Sequence, residues 1–217
     1  MRSKLNKGQI ESLFKLFKER EPEPRGELVS VNDFTFLIAV VLSAQATDIS
    51  VNKATKELFK IAKTPEDFLQ LGVEGIEKHI KTIGLYRSKA KNVISLCEKL
   101  ISDFSSKIPD NLEQLVSLPG VGRKTANVVL NEIFDETTIA VDTHLFRVGN
   151  RIGFAPGKTP IEVEHMMQKL IPLDYKKHAH HWLILHGRYI CLARKPRCPV
   201  CPVAHLCKYK NKTKEAV

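Results

Sequence analysis

Apolar residues recur every three or four positions along most of the chain: Ile10, Leu13, Phe14 and Phe17; then Phe34, Leu37, Ile38, Val41 and Leu42; then Leu58 and Ile61; then Val93, Leu96 and Leu100. That period lines one face of a helix, while strand-like alternation is scarce, so the pattern predicts an all-α protein. The polar run from Glu19 to Glu27, with Pro22, Pro24 and Gly26, predicts a loop after the first helix and a boundary near residue 25. Further helix starts are expected at Thr64, ahead of Pro65, Glu66 and Asp67; at Ser88, before a lysine-rich stretch; and at Asp110, with Glu113 three residues on.

Composition narrows the class. A chain of 217 residues that is 43% hydrophobic can bury its own core. Its net charge is +10, and residues 188 to 217 hold eight Lys or Arg against one acid, Glu215. A basic end of this kind suits a polyanion such as nucleic acid, and suits a solvated lysine-rich tail equally well. No stretch approaches the roughly 20 apolar residues that span a bilayer, and the N-terminus lacks the apolar centre of a secretion signal. No membrane partner is expected, and the location expected is the cytoplasm, with the nucleoid.

Three groups of residues carry candidate chemistry. Leu118-Pro119-Gly120-Val121-Gly122-Arg123-Lys124 lies between two helical patterns. Its glycines are expected to permit positive φ and a close backbone approach, and the helix behind them offers N–H groups to a phosphate. An ordinary tight connection between helices fits two glycines as well. Ile83-Gly84-Leu85-Tyr86-Arg87 is weakly similar to this hairpin. Lys124 falls in a first helical turn, where a cation does not help the helix; there the dipole and Arg123 favour the neutral, nucleophilic amine. Asp142, in Val141-Asp142-Thr143-His144, reads most simply as an N-cap. Cys191, Cys198, Cys201 and Cys207 follow a C-x6-C-x2-C-x5-C order that favours a metal centre over disulfides, zinc or iron–sulfur by spacing alone. Cys97 reads as a small buried residue. His178, His180 and His181 are expected to be exposed decoration, since their spacing splits them across helix faces.

The hairpin string continued by Thr125-Ala126, the Val-Asp-Thr-His segment and the cysteine order together resemble the endonuclease III type of helix-hairpin-helix DNA glycosylase. The likeness extends to Leu42-Ser43-Ala44-Gln45-Ala46-Thr47-Asp48 and Thr82-Ile83-Gly84-Leu85-Tyr86 and spans nearly the whole chain. It implies an all-α fold of two lobes with a DNA cleft between them: residues 26–136 with the hairpin, and residues 1–25 with 137–217 carrying the cluster loop. It also implies a glycosylase for oxidised pyrimidines with abasic-site lyase activity, acting as a monomer on double-stranded DNA that holds damaged bases or abasic sites. Lys124 would be the nucleophile and Asp142 its partner. Gln45 and Leu85 would fill and wedge the stack, and Gly120, Val121 and Gly122 would grip the backbone. The four cysteines would bind a four-iron four-sulfur cluster, whose loop presents Arg194, Lys195 and Arg197 to phosphate. A mismatch adenine glycosylase shares the cysteine order but does not carry this lysine. A non-catalytic hairpin module with zinc would not account for Lys124 together with Asp142.

Overall fold

The structure, a computed structural model, describes residues 3–214. Among the described residues there are ten α-helices and no strand: α1 (Lys7–Arg20), α2 (Asp33–Leu42), α3 (Asp48–Ile61), α4 (Pro65–Ile80), α5 (Tyr86–Phe104), α6 (Leu112–Val116), α7 (Arg123–Ile133), α8 (Thr143–Ile152), α9 (Pro160–Leu170) and α10 (Leu173–Tyr189). The chain divides into two compact units, one made of Met1–Gly26 with Glu136–Val217, the other of Glu27–Asp135. None of the helices among these residues is long and apolar enough to cross a membrane.

Each unit has its own core. In the continuous unit, the α2 stripe of Phe34, Leu37, Ile38, Val41 and Leu42 meets Leu58, Phe68, Val93, Leu96, Cys97, Leu100 and Val129. Cys97 is fully buried there, and burial pushes its thiol up to about 12, so it behaves as an inert apolar residue. In the split unit, the α1 stripe of Ile10, Leu13, Phe14 and Phe17 packs on Leu145, Val148, Phe154 and Trp182. Phe14 is its hub, edge-on to Phe154 at 5.7 Å and stacked on Tyr175 at 6.0 Å. The Trp182 indole N–H donates to the Glu21 carbonyl at 2.7 Å, which ties the end of α1 to α10.

Local signals decide where the helices begin. Asn6 and Gln9 form a reciprocal capping box at α1, Asn32 and Thr35 another at α2, and Thr64 and Asp67 a third at α4, with Pro65 in its first turn. Two expected starts are displaced. Asn111, not Asp110, caps α6, because its Oδ1 reaches the Gln114 N–H at 3.0 Å. Ser88 lies inside α5; the helix starts at Tyr86 from Leu85, which sits in the left-handed region at φ 61 and offers no side-chain cap. The histidine expectation is also corrected. His180 and His181 are buried, with rings 5.2 Å apart, and His178 is half-buried against Trp182 at 5.7 Å. The physical reason is that α10 also buries Tyr175, Ala179, Leu183, His186 and Gly187 and has little polar face left.

Candidate active site and cluster loop

The hairpin in the continuous unit runs from the end of α6 into α7. Leu118 N–H bonds to the Leu115 carbonyl and Val121 N–H to the Leu118 carbonyl, both at 3.1 Å. The Val121 side chain is buried in the core, so it anchors the turn from inside. Gly120 has φ +80, and a Cβ there would press on Asn92 at 3.2 Å and Val41 at 3.3 Å, so both conformation and packing require glycine. Gly122 departs from the expected positive φ: at φ −92 and ψ 173 it is extended and serves as the N-cap of α7. A Cβ at Gly122 would meet nothing within 4 Å. Glycine there leaves the helix start bare, and α7 begins without a side-chain cap. Lys124 is exposed as the second residue of that bare start.

Gln45 and Leu85 lie in the same unit and share an unusual backbone. Both are non-glycine residues with positive φ, 55 and 61 respectively. A left-handed conformation costs such residues about 1–3 kcal/mol each and persists where its surroundings impose it. Leu85 is 61% exposed, so the fold holds an apolar side chain in solvent on a strained turn.

In the split unit, Asp142 is the N-cap of α8, as its sequence context suggested. Its Oδ1 accepts the N–H groups of His144 at 2.8 Å and Leu145 at 2.9 Å, and Oδ2 lies 3.0 Å from His144 Nδ1. Its side chain keeps 13% of its surface exposed, enough to be reached from solvent.

The C-terminal end of α8 meets the cysteines. Cys191, Cys198, Cys201 and Cys207 all line one small cavity, together with Arg151, Ile152, His186, Ile190 and Tyr209. Among the described residues, no three His, Cys, Asp or Glu side chains converge as a single metal ion would need. Four thiols around one cavity are a donor set that suits an iron–sulfur cluster as well as zinc. Burial pushes the Cys201 thiol up to about 11 and raises that of Cys207, and a bound metal would favour their thiolates.

Sequence reasoning missed two arginines that fasten this loop. Arg147 donates through Nε to the Cys191 carbonyl at 2.9 Å and through Nη2 to the Gly187 carbonyl at 2.8 Å. Arg151 donates to the Leu192 carbonyl at 2.6 Å and the Ala193 carbonyl at 2.8 Å, with Nη1 3.7 Å from Cys191 Sγ. Their four-residue spacing on one helix face was visible, but their acceptors stand about forty residues away. Arg194, Lys195 and Arg197 are exposed on the loop, and Lys195 is held at φ 46.

Comparison with known proteins agrees with this geometry. The family described as HhH-GPD superfamily base excision DNA repair proteins matches residues 38–173. The iron-sulfur binding domain of endonuclease III matches residues 191–207, which run from the first of the four cysteines to the last. Endonuclease III of Rickettsia conorii is 57% identical over 200 residues, covering 92% of this chain and 95% of that protein. The chain belongs to the endonuclease III family. The Escherichia coli member is 53% identical over 208 residues, covering 96% of this chain and 99% of its own length. A trapped covalent endonuclease III–DNA intermediate with an estranged adenine superposes with a TM-score of 0.88 at 46% identity, covering 94% of this chain and 96% of that one. The chain is accordingly a helix-hairpin-helix base-excision repair enzyme, a DNA glycosylase and abasic-site lyase whose partner is DNA and whose cofactor is a four-iron four-sulfur cluster.

Proposed function

We propose that Lys124 is the nucleophile and Asp142 the acid–base and electrostatic partner in removing an oxidised pyrimidine from duplex DNA and cutting the resulting abasic strand. The observation that carries this reading is the exposed Lys124 amine on a helix start that Gly122 leaves bare. N–H groups at such a start suit a backbone phosphate and so place the amine beside a sugar.

The damaged nucleotide must first leave the stack, since C1′ is closed to attack while the base is paired. Leu85 wedges into the gap and Gln45 fills it, both set by their left-handed turns. The Lys124 amine then forms a bond to C1′ as the glycosidic bond breaks, and the electron pair leaves with the base, which takes up a proton. The Asp142 carboxylate stabilises the positive sugar and relays the amine proton. Ring opening gives a Schiff base; loss of a C2′ proton then expels the 3′ phosphate by β-elimination.

Cys191, Cys198, Cys201 and Cys207 would hold the cluster, which when bound supplies four iron–thiolate bonds that clamp the loop. Arg194, Lys195 and Arg197 on that loop add phosphate contacts. Residues 26–136 act as one domain and residues 1–25 with 137–217 as the other. The enzyme works as a monomer in the cytoplasm, on the nucleoid, on duplexes with damaged bases or abasic sites.

The test is a duplex with one oxidised pyrimidine, incubated with and without borohydride. Wild type should release the base, cut the strand and, when reduced, give a covalent band that Lys124→Ala lacks. Base release with neither cutting nor a band would mean that water, not Lys124, attacks the sugar.

A further inference from the structure

The inner face of α10 carries a histidine where an apolar residue would pack at lower cost. His186 is 6% exposed and its ring lies 5.2 Å from that of Phe17, and an imidazole in such a place needs a polar partner. Two of the four loop cysteines supply its contacts. Its backbone carbonyl accepts the Cys191 N–H at 2.7 Å, and its ring Nε2 lies 3.8 Å from Cys201 Sγ. The next residue fixes the direction of the ring. A Cβ on Gly187 would stand 2.8 Å from the His144 Cβ and 3.3 Å from Val148, so glycine lets α10 press against α8 in the rotation that turns His186 toward the loop.

Chemistry gives the ring contact one polarity. A metal-bound thiolate has lone pairs and no proton, so Nε2 carries the hydrogen and donates it to Cys201 Sγ. A donor at a cluster sulfur draws off negative charge, and does so more strongly for the reduced cluster, which carries one more electron. Burial keeps water from competing for the same sulfur lone pair. His186 and Ile190 also line an outer pocket with Phe17, Arg20, Trp182 and Tyr189, so the imidazole is part of the wall between that pocket and the cysteine cavity.

We propose that His186 is a positioning residue for the iron–sulfur cluster: its Nε2–H bonds to the Cys201 thiolate and makes the cluster easier to reduce. The residue acts through the ligand and touches neither DNA nor the reacting sugar. This inference rests on the reading of Cys201 as a cluster ligand.

The test is the reduction potential of the full-length, cluster-loaded protein, titrated with a one-electron reductant through mediator dyes, for wild type, His186→Phe and His186→Gln. Phenylalanine keeps a ring in the wall and removes the donor, whereas glutamine offers an N–H at a similar reach. His186→Phe should make reduction about tenfold less favourable, a shift of about 59 mV to more negative potential for one electron, and His186→Gln should restore most of it. A wild-type potential in His186→Phe, or an equal shift in both variants, would overturn the proposal, because packing alone would then explain the residue. If either variant loses its cluster, wild type with ¹⁵N-labelled histidine serves instead. Its cluster, in a paramagnetic form, should show a histidine nitrogen coupling by pulsed electron paramagnetic resonance, and absence of that coupling would refute the bond. Iron and sulfide analysis of wild type, beside that of Cys201→Ser, reports separately on the ligand reading, so its failure is distinguishable from failure of this one.

Discussion

Asp142 has two jobs in this account, and two substitutions separate them. As the N-cap of α8 it accepts two backbone N–H groups at 2.8 and 2.9 Å through one oxygen. Asp142→Ala removes that acceptor and should cost about 1–2 kcal/mol, the upper part of the range for a lost cap. In a protein of this size each kcal/mol moves the thermal midpoint by about 2–4 °C, so a fall of about 2–8 °C is expected. Asp142→Asn keeps an oxygen for both N–H groups and should lower the midpoint by no more than about 2 °C. Base excision should nevertheless fall in both variants by about 10²- to 10⁴-fold, because the charge and the proton relay are gone in each. The assay is single-turnover excision with enzyme in excess, run beside thermal unfolding. If Asp142→Asn excises at the wild-type rate while Asp142→Ala does not, the residue acts through the helix cap and the catalytic assignment fails.

Other consequences can be checked independently. Arg151→Met removes two short donor contacts to the cluster loop, so iron bound per protein should fall, and visible thiolate-to-iron absorbance should decay faster under a chelator; equal retention would show that the latch is idle. Leu85→Ala should slow excision of a paired lesion more than cleavage at a preformed abasic site, where no base need be displaced; an equal effect on both would remove the wedge role. Asp67 accepts the N–H of Lys63 at 2.8 Å and of Thr64 at 3.0 Å, and the Lys63 bond is the main cause that holds its carboxyl below the usual range. Its folded value is depressed, so its stabilising contribution is present above the ordinary carboxylate range and lost as pH falls through the folded value. Acid unfolding of Asp67→Asn should show a shallower dependence in that window, and an unchanged profile would contradict the assignment.

Much of this was readable in the chain because the signals were local. The α1 and α2 stripes, the Thr64 cap and the cysteine spacing each rest on neighbours within a few residues, and the structure places them as the pattern implies. Reading failed where a backbone conformation did the work of a side chain. Nothing in the letters marks Leu85 as left-handed, so the polar Ser88 looks like the start of α5 when it lies inside the helix. Gly122 departs from its pattern for the opposite reason: it is extended, and its glycine leaves space at the helix start rather than supplying a positive φ. The histidines of α10 follow no amphipathic pattern, because that helix is buried on several sides. Arg147 and Arg151 depend on carbonyls distant in sequence, and Lys89 breaks an apolar stripe that binary patterning would have filled with leucine or valine.

The most direct test of the central claim is the location of the covalent bond. Enzyme reduced with borohydride on an oxidised-pyrimidine duplex, then digested with protease and nuclease, should carry the sugar-derived mass on the peptide containing Lys124. Fragmentation should place it on that side chain, and Lys124→Ala should give no adduct. A DNA-derived mass on any other amine of the wild-type protein, or an undiminished adduct in Lys124→Ala, would contradict the account.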